Sequence, residues 1–551
     1  MKRLRHVAGR LPWLIYPVAF VEMCERMSYC GTIAVFVNYI QRPLPPGSIT
    51  GAGHDSGHHS GALGMGQRAS TAITTFDTFW SYTLPLLGGW VADTKWGRYK
   101  TIQMAALAAI IGHVCLIMSA LPPLLVLNNK GSLALLLIGI IIIGFATGGF
   151  KANISPLMAE QFSKEKPRIK VLKSGELVIV DHDLTVTRLY GYFYMFLNVG
   201  AIVGQTAMIY AEKYVGFYLA YIIPTGMYLT CPLVMFWCRN RYAKAPPSGN
   251  VLVQAYQMWK LAMKGRWSWN LIKMLKGMSS EDFWEHAKPS NIPEERRPKW
   301  MMGLDDKWVD ELARGLRACK IFLWYPIYWL SYNQMNNNLV SQAATMNTHG
   351  IPNDFISNVN PISLIIFIPL FEHLIFPYLR KRFHLTIPPL HRITVGYITA
   401  SLALVFSAVI QHYIYLLSPC GKNANKCPTP TDITVWWQIG PYAMIGLSEM
   451  LAITSGMEYA YKQAPETMKS LVMAVFLFMA ALACLLAQAF VPLAEDPLLE
   501  WNYAVPAVLL AIAAVGFWWT SRGMGGGEEE EEGSGDGLEM RDEGKSEVKA
   551  Q

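Results

Sequence analysis

The sequence predicts an all-α membrane protein of twelve transmembrane helices in two six-helix bundles, with both termini cytoplasmic. Three observations predict it. The 551 residues are 52% hydrophobic and only 16% charged, whereas a soluble domain carries about 25% charged residues. The apolar residues gather into about twelve runs, each near the length of about 20 residues that crosses a bilayer. Lys and Arg sort to alternate connections between those runs, as expected of a chain threaded back and forth through a membrane.

The runs fall at roughly 12–40, 69–92, 102–126, 133–160, 187–212, 217–238, 319–345, 355–379, 391–417, 433–461, 468–493 and 500–521. Helices follow because lipid offers backbone groups no partner. With the N-terminus inside, the outer loops hold only Arg42, Arg68, Lys130, Lys213, Lys422 and Lys426. The inner connections hold most other bases, among them Lys164, Lys166, Arg168, Lys170, Lys173, Arg380, Lys381 and Arg382. No cleavage pattern follows the first run, so it is expected to stay as an anchor.

Four further segments complete the expected organisation. Residues 1–238 form the first bundle, with an outer loop at about 41–67 rich in Gly and His (His54, His58 and His59, with Asp55). That loop reads as solvated chain, since nothing positions a metal-ligand set. Residues 239–318 form a cytoplasmic linker whose WKLAMKGRWSWNLIKMLKG suggests amphipathic helices on the inner leaflet. Residues 319–522 form the second bundle, and Cys420 and Cys427 share its outer loop at about 418–432, where a disulfide is expected. Residues 523–551 form an acidic tail that cannot bury a core and is expected to be disordered. From Met524 onward the tail has ten acids and three bases, a charge of −7, which leaves +15 of the net +8 on the rest. Cytoplasmic loops facing anionic lipid account for that excess, so nucleic-acid binding is not expected. The partners expected are the bilayer and a transported solute, with a monomer sufficient for function. Six plus six spans around a central cytoplasmic linker is the major facilitator layout.

Ionisable residues at membrane depth are costly, about 2.5–3.5 kcal/mol each on insertion scales, and persist where they face a cavity or one another. FVEMCERMSYCG, Phe20 to Gly31, places Glu22, Glu25, Arg26 and Tyr29 at i, i+3, i+4 and i+7 on one helix face. Lys151 in GFATGGFKANISP and Glu449 in IGLSEMLAITSG are the other deep charges. The bases lie in the first half and Glu449 in the second, a separation that suits a zwitterion: Arg26 and Lys151 for a carboxylate, Glu449 for an ammonium. His113, alone in its span, reads as a core histidine, and Gly144, Gly148 and Gly149 as close helix contacts. Glu372 and His373 read equally as an inner gate or as packing groups.

Glu22-x-x-Glu25-Arg26 with Tyr29 resembles the ExxERxxYY element of the proton-dependent oligopeptide transporter family, and FYMFLNVGAI (Phe193 to Ile202) resembles its FYxxINxGSL signature. GGWVADTKWGR resembles the inner-loop motif of facilitators generally. YWLSYNQMNNNLVSQA, NPISLIIFIP and GLSEMLAITSGMEYAYKQAP resemble second-half elements of the fungal peptide-transporter branch. The resemblance implies a proton-coupled plasma-membrane symporter of di- and tripeptides, working by alternating access and needing no cofactor beyond the proton. It implies that Glu22, Glu25, Arg26 and Lys151 couple protons. Tyr29, Tyr82, Asn198, Asn333, Gln334, Asn360 and Glu449 would bind peptide, together with Arg26 and Lys151. Two departures stand out: Cys30 replaces the motif's second tyrosine, and Asn333 stands where an acid is frequent.

Other classes fit less well. Transport of nitrate or another small anion has no use for Glu449. A sensor that binds peptide without moving it would tolerate loss of the proton cluster. No nucleophile–base pair or GxxxxGK[ST] stretch supports an enzyme.

Overall fold

The computed structural model describes residues 5–9, 13–53, 59–161, 168–171, 177–243, 251–264, 266, 280–293, 297–301, 303–383, 387–427, 429–463, 465 and 469–522. The acidic tail, the loop residues His54, Asp55 and His58, and Lys164, Lys166 and Lys173 lie outside them.

Helix occupies every apolar run. In the first half these are α1 (Ile15–Gln41), α2 (Gly66–Val91), α3 (Arg98–Ser119), a short α4 (Pro122–Leu127), α5 (Asn129–Lys151), α6 (Ile154–Glu160), α7 (His182–Tyr214) and α8 (Phe217–Trp237). The connecting segment adds α9 (Val251–Ala262) and α10 (Asp306–Ala318). The second half holds α11 (Tyr325–Ala343), α12 (Val359–Leu370), α13 (Phe376–Phe383), α14 (Pro389–Leu417), α15 (Ile439–Glu449), α16 (Ser455–Gln463), α17 (Lys469–Phe490) and α18 (Leu499–Arg522). Six helical stretches among the described residues are long and apolar enough to cross a membrane on length and composition: 98–119, 129–158, 217–237, 389–417, 471–493 and 499–522.

The all-α expectation needs one correction. A three-stranded sheet, in the order β1-β3-β2, joins the N-terminus to the connection before α7. Its strands are β1 (Arg5–Ala8), β2 (Arg168–Val171) and β3 (Leu177–Asp181), with β1 parallel and β2 antiparallel to β3. The signal was present but short: RIKV and LVIVD alternate or run apolar for only four or five residues, too little to stand out beside long apolar helices.

The run expected over 133–160 breaks between α5 and α6. There Asn153 donates from Nδ2 to the carbonyls of Gly149 (2.8 Å) and Gly88 (3.3 Å), tying α5 to α2. Single π turns at Phe371–Ile375 and Met450–Thr454 interrupt two other long helices, and one at Ala92–Trp96 ends α2 before Gly97, a feature frequent at functional positions.

Each half has its own apolar core. In the first half one cluster gathers Val18, Val21, Ile102, Phe150 and Met235, and a second gathers Phe36, Tyr39, Leu116, Phe217 and Tyr221. The second half has Tyr325, Tyr328, Tyr397, Phe476 and Phe517 in one cluster and Leu339, Leu404, Tyr442 and Tyr503 in another. In the connecting segment Met258, Phe283, Val309 and Leu312 form a small core that reaches Leu471 of α17. Asp305 caps α10 by accepting from Trp308 N at 2.9 Å.

Close approach of α2 to α5 depends on glycine. A Cβ on Gly148 would sit 2.6 Å from Leu84 Cβ, far inside van der Waals contact. Gly148→Leu is therefore expected to cost roughly 1–3 kcal/mol through overpacking. A lower thermal-unfolding midpoint and less monodisperse protein in detergent would register it.

The halves are cross-linked at one end, where Asn38 and Asn353 exchange reciprocal amide bonds at 3.0 Å. Gln67 Nε2 donates to Asn338 Oδ1 at 3.0 Å, Asn425 Nδ2 to Gln67 Oε1 at 2.8 Å, and Arg68 pairs with Glu495 at 2.8 Å. Asn38 also donates to Glu212 Oε1 at 2.9 Å. The loop beyond this end is closed by a Cys420–Cys427 disulfide with Cα atoms 5.7 Å apart.

Candidate functional site

α1 turns its charged stripe inward. Glu22, Glu25 and Arg26 are 2%, 1% and 8% exposed, so the cluster is protein-buried rather than lipid-facing. Arg26 Nε lies 2.9 Å from both Glu22 Oε1 and Glu25 Oε2, one cation shared by two carboxylates. The Arg26 guanidinium also lies over the Tyr29 ring at 5.5 Å. The helix can carry this stripe beside α7 because Gly31 and Gly204 face each other: a Cβ on Gly31 would stand 2.9 Å from Gly204 O. Asn198, also on α7, is buried.

Lys151 ends α5 and reaches the ring of Tyr82 on α2, with Nζ 4.1 Å from the centroid. Among the described residues it makes no ion pair, so its charge rests on a cation–π contact. Tyr82 in turn packs against Trp329 of α11 at 5.9 Å between ring centroids. That contact carries the site from the first half into the second.

The second half supplies an acidic counterpart. Glu449 is the last residue of α15, immediately before the π turn Met450–Thr454. Its Oε2 accepts from the Tyr332 hydroxyl at 3.2 Å, and Asn360 Nδ2 donates to the same hydroxyl oxygen at 3.5 Å. Asn360 is buried at the start of α12, with its Oδ1 unpartnered. Asn333 donates to Cys484 Sγ of α17 at 3.2 Å. The side chain of Gln334 lies outside the described residues, as do those of Glu372 and His373.

Reading the sequence alone passed over Tyr332, Trp329 and Asp77. Tyr332 lies inside the quoted YWLSYNQ stretch, three residues from Trp329 and so on the same helix face. Asp77 was visible as an acid within an apolar run. His113 has the core role expected: Nε2 meets Ser28 Oγ at 2.7 Å and Nδ1 meets Ala109 O at 2.8 Å. Among the described residues no group of three or more His, Cys, Asp or Glu could hold a metal ion.

Tyr332 gives a direct test of the second cluster. Tyr332→Phe removes the hydroxyl that holds both Glu449 and Asn360, a loss of about 1 kcal/mol for one oriented bond. Substrate KM is expected to rise about fivefold with maximal rate nearly unchanged, as measured by concentration-dependent uptake.

The chain thus pairs a buried carboxylate–guanidinium cluster in its first half with a half-buried acid, Glu449, held by Tyr332 in its second. Known proteins share the arrangement's frame. A solved structure of the POT family transporter PepTSo superposes with a TM-score of 0.70 over 94% of this chain and 99% of that one, at 19% identity, which establishes the fold. Peptide transporter PTR_C of Candidozyma auris is 38% identical over 525 residues, 94% of this chain and 85% of that protein. Peptide transporter PTR2 of Saccharomyces cerevisiae is 36% identical over 518 residues, 94% and 80% of the two chains. Residues 99–502 match the sequence family described as the POT family. With that match spanning most of the chain and relatives aligned over nearly all of it, the chain belongs to the POT family.

Proposed function

We infer that this chain is a proton-coupled symporter that imports di- and tripeptides by alternating access. Its relatives named peptide transporters align over nearly the whole chain, and it is a transporter rather than an enzyme. The observation that carries the reading to this chain's own residues is the separation of charge across its two halves. Arg26 and Lys151 lie in the first half, and the Glu449–Tyr332–Asn360 group lies in the second. A dipeptide offers a carboxylate to the first and an ammonium to the second.

The cycle follows from those contacts. With Glu25 ionised, Arg26 is held by two carboxylates. A proton on Glu25 removes one of them and frees the guanidinium for the peptide carboxylate, which Lys151, outside any described ion pair, already attracts. Loss of the proton lets Glu25 compete the peptide away. Binding that differs between the two conformations is what makes the switch move the equilibrium.

In this reading the twelve helical runs are spans, the termini and the 239–318 linker are cytoplasmic, and the protein works as a monomer in the plasma membrane. The end bridged by Asn38–Asn353 and Arg68–Glu495 is then extracellular, and it is closed here. Glu449 disfavours a bare anion as substrate.

Labelled dipeptide uptake into proteoliposomes, with and without an inward proton gradient, tests the proposal. Uptake that grows with the gradient supports it. Peptide binding without uptake would make the protein a sensor, and nitrate uptake without peptide uptake would overturn the substrate.

A further inference from the structure

Behind the charged stripe, inside the first bundle, lies a cavity of about 20 Å³. That volume is enough to hold one water molecule. Its polar lining includes Glu25, Ser28, Thr32, Asp77, His113 and Thr147. Asp77 is 3% exposed, and its Oδ2 has no hydrogen-bond partner. Among the described residues it makes no ion pair. A buried carboxyl in this condition is costly unless a proton or water satisfies it.

The other titratable groups facing this space are already committed or neutral. His113 donates from Nδ1 to Ala109 O and so presents Nε2 to the Ser28 hydroxyl. Glu25 holds Arg26 at 2.9 Å. Tyr29 and Tyr228 are phenols on α1 and α8, Lys151 of α5 rests on Tyr82, and from the second half Cys484 of α17 faces Asp77 and accepts from Asn333. Among the described residues Asp77 is the one carboxyl on this cavity besides Glu25.

Depth gives the pair a direction. Asp77 is eleven residues into α2 from its Gly66 end, about 16 Å, whereas Glu25 is sixteen residues from the Gln41 end of α1, about 24 Å. Both ends are at the bridged face. Asp77 therefore stands between that face and Glu25.

We propose that Asp77 is a proton-loading site: a carboxyl that takes a proton from the extracellular side and passes it through water in this cavity to Glu25. The Asp77 O–H gives its proton to the cavity water while that water gives one to a Glu25 oxygen. Asp77 is left as carboxylate until it is reprotonated, and Arg26 is released from Glu25. This proposal rests on the proton-coupled transporter reading above.

The test compares gradient-driven dipeptide uptake with dipeptide counterflow, which needs no net proton movement, in proteoliposomes of wild type, Asp77→Asn, Asp77→Glu and Ala109→Val. Ala109 lines the cavity without titrating, so its extra methyl groups displace water and alter no charge. The ratio of gradient-driven uptake to counterflow is expected to fall about tenfold in Asp77→Asn and severalfold in Ala109→Val. Asp77→Glu should restore it, with the dependence on external pH shifted. An unchanged ratio in both Asp77→Asn and Ala109→Val overturns the proposal, as does a parallel fall of both activities in well-folded protein, which would mark a packing role. If Asp77→Asn fails to fold, Ala109→Val decides alone. Wild type that exchanges no peptide would instead sink the transporter reading.

Discussion

Glu25→Gln is expected to abolish concentrative uptake while the protein remains folded. One pH unit supplies about 1.4 kcal/mol per proton, and a membrane potential of ~150 mV adds about 3.5 kcal/mol per charge. Together these support accumulation on the order of a thousandfold. Glutamine keeps the size of Glu25 and leaves a polar side chain beside Arg26, yet it cannot take up a proton. Steady-state accumulation should therefore fall from as much as about a thousandfold to about one, measured as the ratio of internal to external labelled dipeptide under an inward proton gradient. Glu22 still lies 2.9 Å from Arg26, so the guanidinium is not left as an unpaired buried charge, which would otherwise endanger the fold. Accumulation that survives the substitution would remove Glu25 from the coupling step.

Much of this was legible because cost makes residues conspicuous. Glu22, Glu25, Arg26, Lys151 and Glu449 stand out in apolar runs since each is expensive there. A helical period of 3.6 then places the first three on one face, the face that is buried with Arg26 between two carboxylates. Neutral polar groups carry no such flag. Tyr332 looks like any aromatic in a span, and only the fold shows its hydroxyl 3.2 Å from Glu449. Cross-strand pairing of Arg5–Ala8 with Leu177–Asp181 is non-local by more than 160 residues, so no local period could announce it. The crossings between halves, such as Asn38 with Asn353, are long-range for the same reason. Asp77 was conspicuous by cost but had no motif to give it a role, and the cavity it shares with Glu25 is a property of the packed bundle.

The second large effect falls on Glu449→Gln, and the substrate can be used to isolate it. Glu449 accepts from Tyr332 and has no cation beside it among the described residues, so the ammonium of a peptide would be its natural partner. A hydrogen bond to a charged group contributes about 1.5–3 kcal/mol, equivalent to roughly 10–150-fold in affinity. KM for a free dipeptide should therefore rise by about that factor in Glu449→Gln. An N-acetylated dipeptide, which has no ammonium to offer, should bind wild type poorly and lose little more in the variant. The double difference between two substrates and two proteins cancels general damage to the pocket, because packing defects would weaken both peptides alike. Equal losses for the free and acetylated peptides would show that Glu449 shapes the second cluster without reading the amino terminus. A loss confined to the free peptide would place the ammonium at α15 and, by the length of a dipeptide, its carboxylate toward Arg26 and Lys151.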